Sequence, residues 1–191
     1  MNILATKRTL DKSKIVKMAT RIINDDGINA LTMPNLAKKL GIRSQSLYHY
    51  VANRKELLGF VCADRIKELR KHLLTKVIGV SGEKAIFTFA DEIRDFLLHD
   101  RAMTSILYSL EDLTSSPVIE KEILQIVDLG KKLDIDRKNV VSLHSLLAGV
   151  LGYVYLDQID MFKDESSAEA DDNYHELLLR LVAPKLKASG Q

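Results

Sequence analysis

The chain has 191 residues, enough for one sizeable core or for a small head joined to a larger body. Hydrophobic residues at 46% and charged residues at 28% are ordinary soluble-globular values, and no run of about 18 uncharged apolar residues exists, which excludes a membrane-spanning helix. A net charge of +2 hides an uneven distribution: residues 1–60 carry +7, and the remainder −5, so one end is suited to a polyanion.

The opening MNILATKRTLDKSK lacks the apolar stretch of a secretory leader, and the single cysteine, Cys62, rules out an intrachain disulfide framework; a cytoplasmic protein is expected. Three prolines, nine glycines and almost no β-branched alternation predict an all-α fold. Residues 1–10 read as a loose arm. Ile15, Met18, Ala19, Ile22 and Ile23 recur at helical spacing up to Asp25-Asp26-Gly27. Thr32 before Met33-Pro34 starts a second helix that stops at Gly41, and a short third helix covers roughly residues 44–50. Asn53 with Glu56 forms a capping-box pattern opening a fourth helix, to about Val77. Further helices are expected at about 83–98, 101–110 and from Pro117 to about 133, then a long one capped by Asp136 and ending near Met161. The segment KDESSAEADD reads as polar and mobile, and a last amphipathic helix is expected at about 173–187.

The informative stretch is TMPNLAKKLGIRSQSLYHYVANRKELL, residues 32–58. Two short helices joined by a three-residue turn must cross closely. They need a small residue on the first, a glycine at the turn and an apolar anchor on the second. Ala37, Gly41 and Leu47 occupy those places, with Leu36, Leu40 and Ile42 expected in the core. An ordinary helix-loop-helix corner would satisfy the spacing too, so the outward face of the third helix has to decide. At 100° per residue, Gln45 and His49 lie opposite Leu47, Ser46 and Tyr48 flank them, and Ser44 sits at the tip. This face has hydroxyls, an amide, an imidazole and a phenol but no carboxylate. Such groups can enter a major groove and hydrogen-bond base edges, so Ser44, Gln45, Ser46, Tyr48 and His49 are the candidate base readers. Thr32, Arg43, Tyr48, Arg54, Lys55 and, from the arm, Lys7 and Arg8 are the candidate phosphate contacts; Arg54 and Lys55 sit in the first turn of a helix, where cations gain from a bound phosphate.

With threonine opening the second helix, Leu-Ala before the turn glycine, then Leu-Tyr, an aromatic pair and a basic residue opening the fourth, residues 10–60 resemble the DNA-binding head of the TetR family. LYHYVANRKELL is especially close to the tetracycline-repressor branch. The resemblance implies about nine helices, a dimer built from the last two, and a ligand pocket in the C-terminal body. The chain departs from the pattern at Tyr50, where histidine is usual, at Arg43, which replaces a common serine, and at Pro34, which stands in place of a base-reading arginine.

The expected division is a helix-turn-helix DNA-binding domain at 1–53 and a ligand-sensing and dimerisation domain at 54–191. The eighth helix is apolar almost all round between Val140 and Leu156, so it needs partners on more than one side. Ala148, Gly149 and Gly152, with Leu177 and Leu181 from the last helix, are the candidate dimer interface. Phe87, Phe89, Met103, Leu107, Tyr108, His144, Leu147 and Tyr155 are candidate pocket residues. No pair among the five histidines has the spacing of a helical metal site, and no nucleophile elbow occurs, so neither metal, cofactor nor catalytic site is expected. The reading is a ligand-responsive repressor whose partners are a double-stranded DNA operator, a small-molecule inducer and a second copy of itself. The alternative is a module of the same fold that acts through a protein partner without specific DNA binding.

Overall fold

The computed structural model describes residues 10–109, 116–133 and 142–182. Within them run nine α-helices: α1 Lys12–Asp26, α2 Met33–Leu40, α3 Ser44–Leu47, α4 Arg54–Lys76, α5 Gly82–His99, α6 Arg101–Leu107, α7 Pro117–Lys132, α8 Leu143–Gln158 and α9 Ser167–Val182. A 3₁₀ turn at Ile28–Ala30, unforeseen from the pattern, joins α1 to α2. The expected arm, with Lys7 and Arg8, and the expected Asp136 cap lie outside the described residues.

The chain divides into two compact units, residues 1–65 with 101–119, and residues 66–100 with 120–191. The first unit therefore reaches past residue 53, taking in the start of α4 and all of α6. In it, Asp11 caps α1 by accepting from the Lys14 N–H at 2.8 Å. The helix buries Ile15, Val16, Ala19, Ile22 and Ile23, one stripe at helical spacing. Each such large side chain contributes about 1.5–3 kcal/mol on burial. α1 packs against α2 and α6. Asn24 fastens α6 by accepting from the Ala102 N–H at 2.8 Å, which satisfies one of the orphan donors at that helix start.

In the second unit α5, α8 and α9 pack on one another. Phe89, Ala90, Ile93 and Leu97 of α5, Leu146, Val150, Tyr153 and Val154 of α8, and Tyr174, Leu178 and Val182 of α9 form the buried core. A polar seam borders it: Arg94 pairs with Asp171 and lies 4.4 Å over the Tyr174 ring, while His175 pairs with Asp91 at 3.3 Å. Burial raises the Asp91 carboxyl above its ordinary range, and His175 acts against that rise.

Two expectations here are corrected. The acidic stretch read as mobile is in large part helix, because α9 begins at Ser167 rather than near residue 173. Its start is fixed by a reciprocal cap: Glu169 accepts from the Ser166 N–H at 2.8 Å and Ser166 Oγ accepts from the Glu169 N–H at 3.3 Å. The eighth helix ends at Gln158, short of Met161, and is capped by Ser142, whose Oγ accepts from the Ser145 N–H at 3.2 Å.

Candidate nucleic-acid interface

The turn between α2 and α3 is set by backbone chemistry. Thr32 caps α2, its Oγ1 accepting from the Asn35 N–H at 3.2 Å, and Pro34 sits in the first turn, where its missing N–H costs nothing. At the other end Gly41 takes φ +70°, a left-handed conformation that side-chain-bearing residues avoid. That lets the Ile42 N–H reach back to the Ala37 carbonyl at 3.0 Å, the long bond of a Schellman closure. The chain leaves the turn in extended form at Arg43 and re-enters helix at Ser44.

α3 is a single turn, Ser44–Leu47, followed by turn residues 48–50, so it is shorter than the expected 44–50. Leu47 is fully buried, as are Leu36, Ala37 and Val51 around it. Leu40 and Ile42, expected in that core, are only half-buried. With Leu10, Met18, Lys14, Lys17, Arg21 and Lys39 they line a cavity of about 400 Å³.

Opposite Leu47 the pattern holds. Gln45 and His49 are exposed, Tyr48 is 54% exposed, and Ser44 and Ser46 are half-buried beside them. Among the described residues, none of these five side chains has a hydrogen-bond or ion-pair partner. Their donors and acceptors are free of intrachain partners among the described residues and so available to an incoming one. Arg43, at the N-cap of α3, and Lys55, in the first turn of α4, are exposed. Lys38 and Lys39 end α2, where the helix dipole favours cations, and Lys39 lies 3.5 Å from Asp26.

Arg54, an expected phosphate contact, has partners within the chain. Its guanidinium donates to the Leu31 carbonyl at 2.8 Å through Nε and to the Ile28 carbonyl at 3.0 Å through Nη2. It ties the start of α4 to the 3₁₀ turn, satisfying carbonyls that a short turn leaves open. A group so engaged holds the head together. Asn53 caps α4 as expected, accepting from the Glu56 N–H at 2.9 Å. Glu56, however, reaches back to the N–H of Ala52 rather than to that of the cap residue. Two ties were not foreseen: Tyr50 donates through Oη to the Leu10 carbonyl at 2.9 Å, and Asn35 through Nδ2 to the Ala30 carbonyl at 2.8 Å. Both rest on backbone carbonyls far from regular pairing, for which no periodicity exists. Cys62 is buried, and desolvation pushes its thiol up to about 12, so it is a packing group.

The candidate pocket residues fall in both units. Met103, Leu107 and Tyr108 belong to the first unit, and Phe87, Phe89, His144, Leu147 and Tyr155 to the second. Phe89 and Met103 are core, while His144 and Tyr155 are exposed on α8. None of the eight lines the 400 Å³ cavity, nor a second one of about 310 Å³ between α1 and Arg65.

The candidate dimer residues separate into two sets. A Cβ at Gly149 would stand 2.8 Å from Leu181 Cδ1, so this glycine lets α8 and α9 approach within one chain. Gly149 and Leu181 thus meet within one chain, and Leu177 is half-buried on the same helix as Leu181. A Cβ at Gly152, by contrast, meets nothing within 4 Å. With Ala148, Tyr155, Leu156 and Ile159 it forms an exposed apolar strip along α8.

Residues 15–59 match the family model "Bacterial regulatory proteins, tetR family". Over 49 residues the chain is 39% identical to the tetracycline repressor protein class D of Escherichia coli, covering 26% of this chain and 22% of that protein. Over 93 residues it is 32% identical to an HTH-type transcriptional regulator of Saccharopolyspora erythraea, covering 49% of this chain and 38% of that one. The chain thus spans well under half the length of these relatives. The fold as a whole is similar to that of BioQ in the crystal structure with its natural double-stranded DNA operator, with a TM-score of 0.55 and 24% identity over 89% of this chain and 98% of that one.

Proposed function

Since the chain belongs to the TetR family by its residues 15–59 and has an all-helical fold of the TetR type, we propose that it is a transcriptional repressor that binds a near-palindromic DNA operator as a homodimer and is released by a small-molecule inducer. One observation carries this reading. The exposed face of α3 offers Gln45, Tyr48, His49 and the hydroxyls of Ser44 and Ser46 with no carboxylate and no internal partner. Hydrogen bonds to base edges are the use such groups have, since the amide of Gln45 matches adenine N6 and N7 in pairs. Thr32, Tyr48, Arg43 and Lys55 hold the flanking phosphates, joined by Lys7 and Arg8 from the N-terminal segment. Residues 1–53 act as the DNA-binding domain and 54–191 as the sensing and dimerising domain.

Dimerisation rests on the exposed strip of α8, where apolar groups face water from Ala148 to Ile159. A twofold pair places two α3 helices about 34–36 Å apart, one helical turn of DNA. Release follows when an inducer binds better to a body conformation that spoils that spacing, lowering operator affinity by its differential binding free energy. α4, which continues from the first unit into the second, is the connecting rod.

The test is selection from randomised duplexes followed by anisotropy titration of the recovered sequence. The expected result is a palindromic consensus bound by a dimer, with affinity falling steeply as salt rises. A strictly monomeric protein with no preference among duplexes removes the proposal and leaves a module acting through a protein partner.

A further inference from the structure

Within the second unit, α4 and α5 bring together groups that the sequence separates. His72 on α4 and Glu92 and Asp95 on α5 place an imidazole nitrogen and two carboxylate oxygens all within 4.8 Å of one another. His72 Nε2 stands 2.6 Å from Glu92 Oε2. Two further groups stand beside the carboxylates: Lys76 Nζ lies 3.2 Å from Glu92 Oε1, and His99 Nδ1 lies 3.2 Å from Asp95 Oδ1. The His72 and Glu92 side chains are 34% and 18% exposed, so the cluster is partly withdrawn from water, with Asp95 at its open edge. Phe96 packs near the His72 ring, at 6.3 Å between centroids, and limits its swing.

We propose that His72, Glu92 and Asp95 form a binding site for one first-row divalent cation of the zinc class, clamping α4 to α5. The donor set selects the metal. One imidazole and two carboxylates suit zinc, cobalt or nickel, whereas magnesium and calcium favour all-oxygen shells with more ligands. Zinc bonds of about 2.0–2.2 Å put tetrahedral donor atoms about 3.4 Å apart. The His72–Glu92 pair has to open, and the wider separations have to close, by about 1 Å, which side-chain rotation supplies. The cation then takes the place of the hydrogen bond between His72 Nε2 and Glu92 Oε2, and water completes a four-coordinate, open site. Lys76 is the opposing element: its ammonium on Glu92 Oε1 repels a dication bound at the other oxygen. The site stands whether or not the protein reads DNA, because it rests on α4 and α5 alone.

The experiment uses the full chain without an affinity tag, stripped with chelator, then titrated with Co²⁺ and Zn²⁺ in competition with a chromophoric chelator. The expected result is one equivalent per chain, with cobalt showing the intense visible absorption of a four-coordinate site. His72→Ala and Glu92→Gln lower affinity by at least about 100-fold, more than the 10–100-fold typical of an outer-shell partner. Lys76→Gln raises affinity several-fold, an effect that a purely structural ion pair would not produce. His144→Ala, on exposed α8, leaves binding unchanged. Absence of stoichiometric uptake, or uptake that survives both ligand substitutions, overturns the proposal. If circular dichroism shows those variants unfolded, Lys76→Gln decides: raised affinity supports the site, and unchanged affinity overturns it.

Discussion

α3 and α8 both present outward faces poor in charge, and the two faces have opposite chemistry. Around Gln45, Tyr48 and His49 the exposed groups are polar and unpaired. Along Ala148, Gly152, Tyr155, Leu156 and Ile159 they are mostly apolar. A missing charge is thus not a single signal. Water lost from the first face has to be replaced by directional hydrogen bonds, as on a base edge. Water lost from the second is itself the driving force, as between two copies of a helix pair.

The sharpest break of this contrast is Gly152→Arg. Because a side chain at Gly152 meets nothing within 4 Å, the single chain tolerates it. A dimer built on that strip would bury an unpaired charge, at a cost of about 3–5 kcal/mol, or a loss of more than 100-fold in association. Light scattering should show the mass falling from that of two chains to 21.5 kDa with the helical spectrum intact. A variant that remains dimeric would place the interface elsewhere.

Next in size is Arg54→Ala, set beside Lys55→Ala. Losing the donors to the Leu31 and Ile28 carbonyls leaves two part-buried acceptors open, a destabilisation of about 2–3 kcal/mol seen as a lower urea midpoint. Lys55, exposed beside it, should leave the midpoint unchanged and instead flatten the salt dependence of operator binding by about one phosphate contact. The reverse outcome would return Arg54 to the DNA surface.

Gln45→Ala acts on the first face alone. Its expected effect is about 1–3 kcal/mol of lost discrimination at one base position, with nonspecific affinity and thermal midpoint retained. Equal loss on all duplexes would make Gln45 a backbone contact.

What was legible in the sequence followed from period and local chemistry. Ala37, Gly41 and Leu47 stand where the turn needs them, and Thr32 and Asn53 cap as their types imply. Long-range polar ties were not legible. Nothing in the sequence of Arg54 distinguishes a phosphate ligand from a donor to carbonyls more than twenty residues earlier. Gly149 and Gly152 are alike in sequence, and only the position of Leu181 assigns the first to packing and the second to the surface. His72, Glu92 and Asp95 fail every local metal-site spacing because one donor comes from a different helix.

The start of α9 is a different kind of miss, since its signal was local. KDESSAEADD is acidic in composition, yet it contains Ser166 and Glu169 at the spacing of a reciprocal cap. Composition suggests a solvated linker; the cap, the burial of Ala170 and Tyr174 and the Arg94–Asp171 pair hold it as helix instead. Ser166→Ala should therefore cost about 1 kcal/mol and fray the first turn of α9, visible as faster amide exchange there. The pH dependence has a definite sign. The Ser166 backbone N–H holds the Glu169 carboxyl below its ordinary range, so its contribution is present above that range and is lost as pH falls through the lowered value. Protection of the turn should thus decay on acidification in the native chain and change little in Glu169→Gln. If protection is equal at neutral and acid pH, the cap is not what orders the segment, and the original reading of a solvated linker regains its force.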